Sequence, residues 1–318
     1  MISLSHILRM TDTIGIFEHC TFAVPDPAEG YTTDDNARAL QLMHKLNNTK
    51  LIPVYSSFLS EASTKKGFHN DRKADGTWDD RGGVGDWFGR AMIALTGTPL
   101  FEEKLPLIKT VRSFHTIALL LEAVCQRSEK DRILPLRKYP ILLLAGILVD
   151  AYKKHTDGSW HWFEHGLTYE SAQMPKSLLI AYQKTGNVGY RDVGLGALDF
   201  LISQTFDKKR NVFSFIGNEG WYPAGGKKAL YVQQPVEAAA MVEALCMAYT
   251  VTHNKKYQVL ARRAFAWYEG ENIVGLSLLD PATGGVFDGL YEGSVNLNQG
   301  AESVITYGLA YCALRDMV

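Results

Sequence analysis

No run of this chain approaches the roughly 20 uninterrupted apolar residues that cross a bilayer. The best stretch, Tyr139–Val149, is far too short. The amino terminus, MISLSHILRMTDT, has neither the charged start nor the apolar run of a secretory leader. Basic charge is not in surplus either. The 318 residues carry 33 Lys and Arg against 34 Asp and Glu, a net charge of −1, which leaves nothing to neutralise a nucleic-acid backbone. Cysteine is scarce. Cys20, Cys125, Cys246 and Cys312 are widely separated, and three fall in helical patterns. They read as reduced core residues, neither a disulfide framework nor a zinc site. These absences argue against membrane, secreted-miniprotein and nucleic-acid classes, and a cytoplasmic protein is the expectation.

Convincing strands are also few; what the chain does have is helix. With 46% hydrophobic residues there is material for a large core. Helices with a single apolar stripe are predicted near Leu4–Met10, Val54–Ala62, Leu105–Arg112, Lys138–Tyr152, Tyr190–Ser203 and Tyr257–Trp267. A second set is apolar around most of its circumference: Asp34–Leu46, Gly85–Leu95, Phe114–Cys125, Tyr169–Tyr182, Pro235–Tyr249 and Gln299–Leu314. One-striped helices cover a surface, and helices apolar all round belong in an interior. The two kinds alternate, outer then inner, six times. That alternation predicts an all-α fold, an (α/α)6 toroid in which residues 1–318 form one domain.

The connections fit the same plan. Inner-to-outer links are mostly short, whereas five outer-to-inner links are long: Thr11–Thr33, Thr64–Gly83, Lys154–Thr168, Phe206–Gln233 and Gly270–Asn298. All five emerge at the rim where the inner helices begin, and long loops in a compact domain are usually functional. Trp78, Trp87, Trp160, Trp162 and Trp221 fall in these loops or in the first turn after them. Tryptophan gathered at one rim suggests a ligand surface of flat aromatic faces. The competing explanation is that the rings pin loops to the barrel mouth.

Acidic residues crowd the same rim. Asp34 and Asp35 open the first inner helix in GYTTDDNAR, and Asp86 opens the second in WDDRGGVGDWFGR. Glu164 precedes the fourth in WHWFEHGLTYES, Glu237 opens the fifth in QQPVEAA and Glu302 the sixth in NQGAES. Each alone is explained by helix capping. Capping does not explain five helices bringing carboxyl groups to one aromatic-rimmed mouth. A concave site of that kind suits general acid and base work on a sugar. Asn36, Gln233, Gln234, Asn298 and Gln299 carry amides that can bridge vicinal hydroxyls. Arg38 and Arg90 lie one turn inside their helices, placed to pair with rim carboxylates or with substrate. His161-Trp-Phe-Glu164-His165 matches a zinc-peptidase pattern, but it lies between a turn and Gly166 rather than on a helix, so no metal is expected. No cofactor motif stands out: GGVGDWFG follows no strand.

The segment HILRMTDTIGIFEHCTFAVPDPAEGYTTDDNARAL resembles the opening of a bacterial domain found beside, or fused to, glycosyltransferases. WHWFE, SFIGNEGWYPAGG, QQPVEAAAM and DGLYEGSVNLNQGAES resemble later blocks of that family. The family is similar in fold to the six-hairpin glycosidase-like superfamily, which holds glycoside hydrolases, sugar epimerases and polysaccharide lyases. The resemblance implies a sugar or oligosaccharide substrate and, as a partner, a glycosyltransferase. The leading expectation is a glycoside hydrolase acting through two of Asp34, Asp35, Asp86, Glu164, Glu237 and Glu302. An epimerase, isomerase or lyase on the same toroid is the alternative, with His19, His115, His161 or His165 as base. A non-catalytic glycan-binding or glycosyltransferase-associated module is a third.

Overall fold

The computed structural model describes residues 2–127 and 134–317, with the backbone alone for 134–139. The inner helices are α2 (Thr33–Lys45), α4 (Asp86–Ala94), α6 (Phe114–Gln126), α8 (Gln173–Thr185), α10 (Pro235–Thr252) and α12 (Ala301–Asp316). Each packs against the next, and α12 packs back against α2, which closes the ring. Around them lie α1 (Ser5–Met10), α3 (Ile52–Glu61), α5 (Pro99–Lys104), α7 (Leu134–His155), α9 (Val188–Thr205) and α11 (Lys255–Ala266). The burial pattern follows the sequence pattern. In α10 nearly every residue from Pro235 to Ala248 is buried, whereas α11 buries only Tyr257, Leu260, Ala261, Ala264 and Ala266.

Ring closure depends on two close approaches. A Cβ on Gly89 would lie 2.6 Å from the Leu119 side chain where α4 meets α6, and one on Gly308 would lie 2.7 Å from Leu42 where α12 meets α2. Real Cβ atoms do not approach so closely, so a side chain at Gly89 would displace Leu119 from its Cβ outward, and one at Gly308 would push aside the terminal methyls of Leu42. The four cysteines are free and buried. Among the described residues no helix is long and apolar enough to cross a membrane.

Two expectations are corrected. The third outer element is not one helix near Leu105–Arg112: α5 ends at Lys104 and a 3-10 turn covers Leu105–Thr110. Pro106 is responsible, since its ring removes an amide donor and obstructs a continuing α-helix. The fourth inner helix starts at Gln173 rather than near Tyr169, because Glu170 adopts a left-handed conformation with φ of 47°. That interruption puts Tyr169 and Glu170 across the barrel axis instead of on a helix face.

The long loops are tied down by short antiparallel pairs. Two of these pairs join different loops: Tyr31–Thr32 with Asp71–Arg72, and Gly166–Leu167 with Tyr222–Pro223. The rim is therefore a stitched collar. Beneath it the amino-terminal turns of the inner helices point into one mouth.

Candidate active site

Helix α2 begins with a reciprocal cap. The Asp35 amide donates to Thr32 Oγ1 at 3.1 Å, and that hydroxyl donates to Asp35 Oδ2 at 2.8 Å. With Asp35 held there, Asp34 turns toward the barrel axis, where two buried arginines wait. Arg38 Nη1 donates to Asp34 Oδ2 at 2.9 Å, and Arg90 Nε lies 2.9 Å from Asp34 Oδ1. Arg38 also reaches Asp35 Oδ1 at 3.5 Å and Glu302 Oε2 at 3.1 Å. The Tyr169 hydroxyl donates to Glu302 and accepts from both arginines.

Below this layer, Arg90 donates to Glu170 Oε2 at 2.5 Å. His115 bridges Asp86 and Glu170, with Nδ1 at 2.9 Å from Asp86 Oδ2 and Nε2 at 3.4 Å from Glu170 Oε2. Glu237 Oε1 accepts the Glu170 backbone amide at 2.5 Å. Charges taken this far out of water persist only when paired, and every arginine here is.

The environments push the acids apart. Burial raises Asp35 to about 7, although Arg38 pulls the other way. Burial also raises Glu237, to about 8, against the hydrogen bonds it accepts from the Glu170 and Ser171 amides. For Asp86 burial is outweighed by the His115 contact, and the carboxyl titrates near 2. Glu170 lies well below the ordinary range, since Arg90, His115 and Arg38 together overcome its burial. His115 is raised to about 9 because Asp86 and Glu170 outweigh its desolvation. Near neutral pH the mouth therefore holds protonated carboxylic acids beside fixed carboxylates, with His115 as a cation. Separation of titrations on this scale marks acid and base roles in enzymes.

Above the charged layer lies a cavity of about 500 Å³. Asp34, Asp35, Glu302 and Tyr169 form part of its floor and wall, and Asn70, Asn218, Gln234, Asn296 and Asn298 line it with amides. Asn218 Oδ1 is buried and accepts no hydrogen bond among the described residues. Glu18, His19 and Asp288 also stand in the wall. His19 is raised to about 9 by its contact with Glu18. Asp288 is raised by burial, although it accepts from the Gly300 amide and the Ser303 hydroxyl.

Of the carboxylates expected from sequence, Asp34, Asp35, Asp86, Glu237 and Glu302 are gathered in this network. Glu164 is not: it stands half-buried beyond His115 and makes no side-chain hydrogen bond among the described residues, with its titration raised by burial. Arg38, Gln234 and Asn298 belong to the site, but three amides expected at the ligand surface serve the scaffold instead. Asn36 is fully buried and bridges the Ile16 amide and the Thr32 carbonyl. Gln233 accepts from the Phe215 amide and Trp267 Nε1. Gln299 spans Thr283 and Asp280.

The tryptophans lie mostly against the collar. Trp162 is fully buried beside Phe163 and Phe200. Trp78 stacks on His69 under Arg72, and Trp87 donates to the Phe68 carbonyl. Trp160 donates to the Glu164 carbonyl and meets Phe200 and Tyr222 edge-on, and Trp221 packs against the core at φ of 51°. None of the five lines the cavity. The candidate set drawn from the sequence omits Tyr169, Glu170, Asn218 and Asp288, although Glu170 and Asp288 are acids of the same rim by sequence. The first two had a visible signal, an acid and a phenol ending a long loop just before an inner helix.

No family model and no curated protein matches the sequence. Solved structures do match in shape. A cellobiose 2-epimerase from Bacillus thermoamylovorans aligns over 99% of this chain and 96% of its own, with a TM-score of 0.75 and 13% identity. A D-mannose isomerase aligns over 98% and 95%, with a TM-score of 0.74 and 13% identity. The chain is an (α/α)6 toroid. A GH76 α-mannanase from Bacteroides thetaiotaomicron shares that fold more distantly, with a TM-score of 0.64 and 11% identity over 98% and 92% of the two chains. Identities this low establish the toroid's architecture and leave its chemistry to the residues in its mouth.

Proposed function

We propose that the toroid is a carbohydrate-active enzyme that cleaves a glycosidic bond, with Asp35 as the general acid and Glu302 as the general base. The observation that carries this is Asp35, a cavity-lining carboxyl that titrates near 7 and so keeps much of its proton at neutral pH. Glu302 accepts from Arg38 and Tyr169, the hydrogen bonding of a carboxylate. Asp35 Oδ1 and Glu302 Oε2 lie 3.5 Å and 3.1 Å from opposite nitrogens of one guanidinium. They are thus at most about 9 Å apart, within reach of both sides of a glycosidic bond. In the proposed step Asp35 gives its proton to the glycosidic oxygen as that bond breaks. A water attacks the anomeric carbon and yields a proton to Glu302. The amide-rich wall, with the Asn218 acceptor unfilled, suits a ligand made of hydroxyl groups.

The fold likeness to an isomerase and an epimerase favours a second reading, proton transfer at a sugar carbon. A histidine serving as base in that chemistry must be neutral. His115 is wedged between two carboxylates and His19 is paired with Glu18, and both titrate near 9, which weighs against it. Incubation with oligosaccharides and with free sugars separates the readings by product. New reducing ends that vanish in Asp35→Asn and Glu302→Gln support hydrolysis. A changed monosaccharide or an unsaturated product overturns it. Binding that survives both substitutions, without turnover by the native protein, leaves a glycan-holding module, and a glycosyltransferase is then the partner to seek.

A further inference from the structure

Phe22 holds an exposed aromatic side chain on a costly backbone conformation. Strands β1 (Cys20–Thr21) and β2 (Val24–Pro25) form a hairpin whose two-residue turn is Phe22-Ala23. Phe22 takes φ of 54°, in the first turn position, where a two-residue hairpin with a positive angle normally has glycine. A residue with a Cβ resists that conformation, and glycine adopts it freely. The ring lies largely in solvent. It is 59% exposed, stacks on no other aromatic residue among those described, and lies outside the hydrophobic cluster.

The backbone of Phe22 is nevertheless fixed at the lip of the cavity. Its amide donates to Asn298 Oδ1 at 2.9 Å, and its carbonyl accepts the Gln299 amide at 3.0 Å. Asn298 is part of the cavity wall, as is His19 three residues before Phe22. Val24, which follows the turn, and Leu297, which precedes Asn298 in the chain, are exposed as well. Strained, solvent-facing side chains that the surrounding structure holds in place cluster at ligand sites. A phenyl face next to an amide-lined, acid-floored cavity has the chemistry of a sugar-stacking platform.

We infer that Phe22 is a specificity-determining platform that stacks a sugar ring just outside the cavity, so that the protein selects oligosaccharides longer than those the cavity alone holds. This rests on the carbohydrate reading above. Phe22 touches no candidate acid or base, so its contribution is to binding and not to the chemical step.

The test uses Phe22→Gly, which relieves the turn, with Phe22→Trp as a conservative partner. Binding of gluco- and manno-oligosaccharides of two to six units is measured by calorimetry, alongside thermal unfolding and light scattering. Phe22→Gly should unfold at the same or a higher temperature. It should bind the shortest bound sugars as the native protein does and lose about five- to tenfold in affinity for longer ones. Phe22→Trp should keep that affinity. Equal affinities for every length in native and Phe22→Gly proteins overturn the platform and leave the carbohydrate reading standing. Native protein that binds no sugar of any length removes both. A native dimer that Phe22→Gly dissociates, with sugar binding unchanged, makes the ring a contact between copies and also overturns the platform.

Discussion

Glu237 offers a measurement of the site's electrostatics that needs no substrate. Burial holds it protonated to about pH 8, whereas an ordinary glutamic acid gives up its proton near 4.5. The folded state thus binds this proton more tightly than the unfolded chain does. The stabilisation is complete below pH 4.5, shrinks as pH rises toward 8, and is gone above it. One proton sets a limiting slope of about 1.4 kcal/mol per pH unit. Between pH 6 and 8 the loss should come to about 2 kcal/mol. Glu237→Gln keeps an oxygen to accept the Glu170 and Ser171 amides and has no proton to lose. Urea unfolding of both proteins at pH 6, 7, 8 and 9 isolates the effect, because other titrating groups cancel in the difference. The variant should gain on the native protein by about 2 kcal/mol from pH 6 to 8 and little beyond. A difference that stays constant over that interval would refute a protonated Glu237.

The architecture was legible because its signal is redundant. Six helices apolar all round and six striped ones repeat a single contrast, so one misplaced boundary leaves the count unchanged. The error at Leu105–Arg112 came from giving apolar spacing more weight than Pro106, and the one at Tyr169 from a φ of 47° at Glu170 that no spacing announces. Carboxylates at helix starts were readable for the same reason: position on a helix follows from spacing, and all inner helices start at one mouth. Glu164 belongs to a loop, where no periodicity fixes direction. The same limit applies to Asn36, Gln233, Gln299 and the tryptophans, which the structure places away from the cavity. A loop side chain that stitches the collar and one that faces ligand have the same composition, and only the fold separates Gln233 from Gln234 or Trp162 from an exposed ring.

The remaining predictions divide the site by role. Cleavage should weaken as pH rises through about 7, where Asp35 loses its proton; a pH–rate profile flat from 6 to 8 would remove it as the acid. Trp162→Ala should cost about 3–5 kcal/mol in chemical denaturation by emptying a fully buried site, and a loss under 1 kcal/mol would mean that the ring does not anchor the collar. The neighbouring aspartates separate most sharply. Successive residues on a helix point about 100° apart, so Asp34 meets Arg38 and Arg90 while Asp35 turns to Thr32 and the cavity wall. Asp34→Asn leaves two buried guanidinium groups short of a counter-charge and should destabilise by about 3 kcal/mol or more. Asp35→Asn replaces a carboxyl that carries its proton below pH 7, so below that pH stability should hold within about 1 kcal/mol, while cleavage falls by about 100-fold or more. Denaturation at pH 6 and initial rates on the same two proteins decide it. Equal losses of stability would mean that the adjacent acids share one structural task, and the division between a fixed anion and a proton carrier would fall.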